Sequence, residues 1–164
     1  FSMVDPLRDM LGRWAPSAET FLRLMATNAL AAEPPIGFTG DVVMEKEGKE
    51  KFVDIKKYGI RIFVDVGRII GLAHGVKSAS TRTRFLEAGE NFGMSALDVS
   101  AALQAMSELQ RLRLNHQHHA ITTGIKPDNH LHPEELSTYD EAVLREGLKQ
   151  AKRLQQRLKL TYRI

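Results

Sequence analysis

Apolar positions recur at helical spacing over most of the chain. Leu7, Met10, Leu11 and Trp14 follow Asp5-Pro6, a pair whose chemistry suits a helix start. Pro16 interrupts the pattern, and Ser17 can cap a second helix with Phe21, Leu24, Met25, Asn28 and Ala29 along one side. Glu33-Pro34-Pro35 closes that helix, because the residue before a proline is pushed out of the helical region. The period then changes. Asp41-Val42-Val43-Met44 and Lys51-Phe52-Val53-Asp54-Ile55 are β-prone runs on either side of a polar stretch holding Gly48, which predicts a hairpin near residues 40–56.

Helical spacing returns with Ile60, Phe63, Val64, Gly67, Ile70 and Ala73 or His74, and Gly75 ends the run. A shorter helix is expected over residues 80–90, before the break at Asn91-Phe92-Gly93. Ser95 opens the clearest long helix, with Leu103, Met106, Leu109 or Gln110, Arg113 and Gln117 along one side and Gly124 at its end. Ser137, with Asp140 three residues on, resembles a capping box. The helix that follows should turn Leu144, Leu148, Ala151, Leu154 or Gln155, Leu158 and Tyr162 inward. The expected fold is mainly α, a bundle of about six helices with one small β-hairpin. One helical domain is expected over residues 1–164, with N-terminal helices to 32, loop and hairpin over 33–58, and the main bundle over 59–164.

The 164 residues are 43% hydrophobic and 26% charged, enough apolar content for an ordinary core and too even a mixture for a disordered chain. No apolar run approaches the roughly 18 residues that a membrane span needs, so no membrane partner is expected. Cysteine is absent, which removes disulfides, thiolate metal sites and cysteine nucleophiles and fits a cytoplasmic location. The net charge of +3 is unevenly placed. Arg145, Lys149, Lys152, Arg153, Arg157, Lys159 and Arg163 face Glu146 alone over the last helix, a strip suited to phosphates or to plain solvation. No aromatic residues are interleaved for base stacking, so nucleic acid is not the expected partner.

The densest candidate chemistry lies between Asp54 and Arg68, across the strand-to-helix junction, where side chains and free helix N–H groups can converge on an anion. Lys56 and Arg61 suit phosphate oxygens, Asp54 can orient a base or help hold a metal, and Asp65 and Arg68 are placed to pair at i, i+3. An internal salt-bridge network fixing the hairpin to the bundle accounts for the same residues. Arg113, His116 and Gln117 make a polar patch at one end of an apolar stripe. A buried arginine there needs a partner, for which Asp128-Asn129 is the candidate. His116, His118, His119, His130 and His132 invite a metal reading. Without a His-Glu-x-x-His arrangement, or any carboxylate between Glu108 and Asp128, polar surface and loop roles are expected and no metal site.

Several segments in order carry a resemblance: Asn28-Ala29-Leu30, Pro34-Pro35-Ile36-Gly37-Phe38, Asp54-Ile55-Lys56 to Arg68, Arg113-Leu114-Asn115-His116-Gln117, Pro127-Asp128-Asn129 and Pro133-Glu134-Glu135-Leu136-Ser137. From about Thr20 onward the chain resembles the C-terminal nucleotidyltransferase substrate-binding domain of bacterial signalling proteins. In those proteins it follows a nucleotidyltransferase-like domain, often with cyclic-nucleotide-binding and CBS domains further upstream. The run Asp54-Ile55-Lys56 to Arg61 is also similar to a segment after the catalytic fold of the uridylyl- and adenylyltransferases of nitrogen regulation, with Ile62-Phe63 where those enzymes have Asp-Ile.

The resemblance implies Mg and a nucleoside triphosphate as cofactors of the full-length family. It also implies a nucleotidyltransferase-like domain of the same protein as partner, with a protein substrate or a homodimer as further partners. The family's catalytic signature, a Gly-Ser pair followed by carboxylates at i, i+2, is absent from this sequence, so no catalytic residue is assigned and the isolated chain is expected to be inactive. The implied role is nucleotide or substrate binding, with Asp54, Lys56, Arg61, Asp65, Arg68, Arg113, His116, Gln117 and Asn129 as the candidate residues. The alternative is a structural or oligomerisation bundle without a ligand site.

Overall fold

Six α-helices and three short strands lie within residues 3–164, the part of the chain that the computed structural model describes. Helix α1 (Val4–Trp14) leads through a 3₁₀ turn into α2 (Glu19–Ala29). Strands β1 (Glu45–Glu47) and β2 (Glu50–Asp54) follow, then α3 (Arg61–Ala73), α4 (Thr81–Ala88) and α5 (Ala96–Thr122). Strand β3 (His130–Leu131) precedes α6 (Thr138–Tyr162). The fold is mainly α, as the spacing predicts.

Helix α3 runs through the middle of the core. Ile62, Phe63, Val66, Ile69 and Ile70 are all buried, which leaves only the side of Arg61, Asp65 and Arg68 for charge. Helices α2, α4 and α6 pack against it, and α5 packs against α6. Helices α5 and α6 both begin at capped serines: Ser95 and Asp98 form a reciprocal capping box, and Ser137 accepts from the backbone N–H of Asp140. Gly147 of α6 sits where any Cβ would lie 2.6 Å from Leu109 Cδ2, so the glycine sets how closely α5 and α6 approach. Gln155, the one buried polar side chain among the described residues, donates to the carbonyls of Ala29 (2.9 Å) and Ala32 (2.8 Å) and so holds the end of α2 against α6.

Several details differ from the sequence reading. The first hairpin strand is the polar segment Glu45–Glu47, and Asp41 to Met44 is not a strand; Val42 makes only an isolated bridge to Ile36. Glu47 pairs with Glu50 across a two-residue turn, and Gly48 takes φ +61°, which a glycine adopts without strain. In α2 the buried side is Leu22, Ala26 and Ala29, so Phe21, Leu24 and Asn28 lie off the face expected of them. Ser17 does not cap that helix; its hydroxyl donates to Trp14 O. Helix α1 starts at Val4, so Asp5 and Pro6 lie inside its first turn, and the helix buries none of its residues: Leu7, Met10 and Trp14 are about half exposed.

Candidate functional site

A third strand, invisible in the hydrophobic pattern, shapes the junction. β3 pairs antiparallel with β2, Val53 opposite Leu131 and Asp54 opposite His130, and the N–H of Ile55 donates to Asn129 O at 3.0 Å. The loop after α5 is thereby stitched beside the point where β2 turns into a helix. That turn, Lys56–Ile60, is a single π-helical turn leading into α3. Such turns interrupt the regular ladder and are frequent at functional sites. Asp54 Oδ1 accepts from the N–H of Lys57 (2.8 Å), so this carboxylate satisfies a free donor of the first turn. Tyr58 donates its hydroxyl to Glu45, which also lies 3.8 Å from Lys57 Nζ.

The candidate residues separate into two groups. In the first, Arg113 Nε donates to Asn129 Oδ1 (2.7 Å), and Gln117 Nε2 donates to Asp128 O (3.2 Å). The ring nitrogens of His116 face Asp128 Oδ1 at 2.8 Å and Glu135 Oε2 at 3.3 Å. Both nitrogens donate at once only in the imidazolium form. Asp128 in turn accepts from the N–H of His130 (2.9 Å). Burial pushes the Asp128 carboxyl up, but the His116 and His130 hydrogen bonds outweigh it and hold the group below its usual value. Every member of this group has a protein partner. Together they latch residues 128–135 onto α5.

The second group lies on the outer face of α3. Asp65 accepts from Arg61 Nε (3.2 Å) and Arg68 NH1 (3.5 Å), and the side chain of Lys56, in the π-turn that leads into α3, is exposed with no ion pair or hydrogen bond among the described residues. One carboxylate therefore offsets two guanidiniums and leaves Lys56 uncompensated. No hydrogen bond or ion pair among the described residues joins this face to the Arg113 group.

The basic last helix is largely occupied. Lys152 donates to Ile36 O (3.1 Å), Lys159 pairs with Glu33 (2.8 Å), and Arg157 donates to Gly93 O and lies near Asp98. Arg145 approaches Asp41 (3.9 Å) and Arg153 approaches Glu146 (3.3 Å). Much of the strip ties the loop over residues 33–41 and the α4–α5 break to α6. The outer histidines serve the sheet: His130 stacks on Phe52 with ring centroids 4.2 Å apart, and His132 Nδ1 lies 3.1 Å from Lys51 O. No group of three or more histidine or carboxylate side chains among the described residues is arranged to hold a metal ion.

Two clefts bear on the choice of site. One of about 280 Å³ lies beside His116, over Leu112, Leu131 and Leu136, at the small end of the range for ligand pockets. A larger groove of about 630 Å³ separates α4 from α5. It contains none of the sequence candidates, and its lining holds one cation, Arg82, and two carboxylates, Glu90 and Glu108. Sequence reasoning missed Glu135 and the Glu45–Tyr58 pair, since both contacts depend on how distant segments pack. No helix among the described residues is long and apolar enough to cross a membrane.

Comparison with protein families finds a match over residues 19–162, to a family described as "putative nucleotidyltransferase substrate binding domain". Neither the curated proteins nor the solved structures yield a match.

Proposed function

The chain belongs to the family of nucleotidyltransferase substrate-binding domains, and on that basis we propose that the outer face of α3 receives the phosphate-bearing part of a nucleotide or substrate presented to a nucleotidyltransferase domain of the same protein. The observation that carries this reading is the charge imbalance on that face. Lys56 has no protein partner, and Arg61 and Arg68 share the single carboxylate of Asp65. Exposed cations around a π-turn form a surface to which a phosphate adds charge-assisted bonds without first breaking a buried network. The Arg113, His116, Gln117 and Asn129 group is different, because each of its side chains is tied across the contact between α5 and the loop that follows it. Its proposed part is to fix the loop beside the junction, not to meet the ligand.

The test is titration of the chain with ATP, GTP, CTP and UTP, alongside Lys56→Ala, Arg61→Ala and Arg113→Ala variants. Each of the first two should weaken binding of the preferred nucleotide by about 1.5–3 kcal/mol, a tenfold to hundredfold loss, with little change in melting temperature. Arg113→Ala should do the reverse. A fall in melting temperature with unchanged binding for Lys56→Ala and Arg61→Ala would support a purely structural bundle instead.

A further inference from the structure

Leu112, Asn115, His116 and His119 repeat at three- and four-residue steps, so they share one face of α5. That face is one wall of the cleft of about 280 Å³. β3 supplies Leu131 to it, and the turn before α6 supplies Glu135 and Leu136. Leu112 and Leu131 are buried and Leu136 is half-buried, so the cleft has an apolar floor. Its polar groups are unequally engaged. His116 meets Asp128 and Glu135, and Asp140 accepts from Arg111 (3.1 Å) and Ser137 (2.8 Å). The side chains of Asn115 and His119 have no hydrogen bond or ion pair among the described residues. Glu135 meets His116 through Oε2, and its Oε1 has no such partner there either.

An apolar floor with a few polar groups at its edge is the usual form of a small-molecule pocket. The lining holds two carboxylates and neither lysine nor arginine, so a phosphate is not the group it suits. A flat heteroaromatic ring is: its face packs on the leucines and its edge hydrogen-bonds at the rim. A carboxamide pairs with an exocyclic amine and the ring nitrogen beside it, and a carboxylate accepts from such an amine. We infer that this cleft is a nucleobase subsite, selective for a base with an exocyclic amine and read by Asn115, His119 and Glu135. The inference deepens the proposed nucleotide-binding role and takes its ligand class from that reading. The cleft is small enough that ribose and phosphates must lie outside it. Leu131 pairs with Val53, and Lys56 follows Val53 by three residues, at most about 11 Å of chain, so the sheet sets the cleft near the cations of the α3 face.

The experiment is titration calorimetry of the chain with ATP, CTP, UTP, adenosine and inorganic triphosphate. ATP or CTP should bind about tenfold more tightly than triphosphate, and UTP little better than triphosphate. Asn115→Ala and His119→Ala should each remove most of that advantage and leave triphosphate binding as it was. Both variants should melt with the unaltered chain, because neither side chain is bonded to the fold. Glu135→Gln keeps the size of the group but adds a donor, and should narrow the gap between UTP and the other nucleotides. Lys56→Ala should instead weaken ATP and triphosphate by the same factor.

Equal affinities for triphosphate and every nucleotide would overturn the inference and leave the α3 reading in place. A base-dependent gain that survives both Asn115→Ala and His119→Ala would put the base elsewhere and overturn it too. UTP bound as tightly as ATP and CTP would overturn the selectivity for an amine. If adenosine binds, loses that binding in Asn115→Ala, and triphosphate does not bind at all, the cleft stands and the phosphate site on α3 falls. A chain that binds none of the five compounds would overturn both readings.

Discussion

Arg113 and Asn129 are joined by a 2.7 Å hydrogen bond from Nε to Oδ1, and this bond fastens α5 to the residue immediately before β3. The backbone of Asn129 simultaneously accepts from the N–H of Ile55, at the start of the π-turn. One residue thus connects the long helix, the sheet and the junction.

Breaking that connection should loosen the junction from a distance. Arg113→Ala leaves Asn129 Oδ1 with only a longer approach from Gln117 at 3.5 Å, and the expected cost is about 1–3 kcal/mol of stability. Hydrogen exchange at the Ile55 amide should quicken more than exchange at Leu148, deep in α6. Combined with Asn129→Ala, the two losses should fall short of additive, as for groups that share one bond. Full additivity would show that Arg113 and Asn129 act independently.

Asp128 should shape the acid limb of stability. Its carboxyl is held below the ordinary value of 3.8 because the His116 and His130 hydrogen bonds outweigh the effect of burial. A depressed carboxylate contributes stability that is present above the unfolded value and is lost as pH falls through the lower folded value. Melting temperature should therefore fall from about pH 4 downward in the unaltered chain, and Asp128→Asn should flatten that portion of the curve. The group is half exposed, so solvent moderates the effect. An unchanged acid limb in Asp128→Asn would assign the loss to other carboxylates.

How much of this was legible in the sequence depends on what kind of contact was involved. The α6 face could be read directly: Leu144, Leu148, Ala151, Gln155 and Leu158 repeat at helical spacing, and all are buried. The capped starts at Ser95 and Ser137 were equally plain, because a cap is a local bond between near neighbours. Strand β1 was not. Its residues are charged and largely exposed, and it pairs through its backbone, which leaves no apolar alternation to detect. β3 is two residues long in a loop rich in proline and polar groups, so nothing local announces it. At the candidate site the residue types could be read, and Asn129 was in view as a partner for Arg113. Which cations are spent on protein partners is a tertiary fact. Lys56 and Lys152 look alike in sequence, yet one is unpartnered and the other holds Ile36 O. In α1 the pattern misled for a different reason. Periodicity shows that a helix has an apolar side, but not that anything covers it.

That helix supplies the last prediction. α1 buries none of its own residues. Its ties to the rest of the chain are few: the Asp9–Lys77 ion pair at 2.6 Å, a close backbone approach between Gly12 and Gly75, and the tilted Trp14–Phe21 pair with ring centroids 5.5 Å apart. A solvent-exposed ion pair contributes little, and an aromatic pair of this kind is worth about 1 kcal/mol. Deleting residues 1–14 should therefore remove some helical signal while leaving a cooperative melt with a midpoint only a few degrees lower. Trp14 is the one tryptophan, and it is about half exposed. Its emission should lie close to that of tryptophan in water, and it should report the release of α1 rather than melting of the core. Two distinct transitions, an early one by fluorescence and a later one by circular dichroism, are expected in the intact chain. Coincident transitions by both probes, together with a truncated chain that no longer folds, would show that α1 is an integral part of the bundle despite its exposed face.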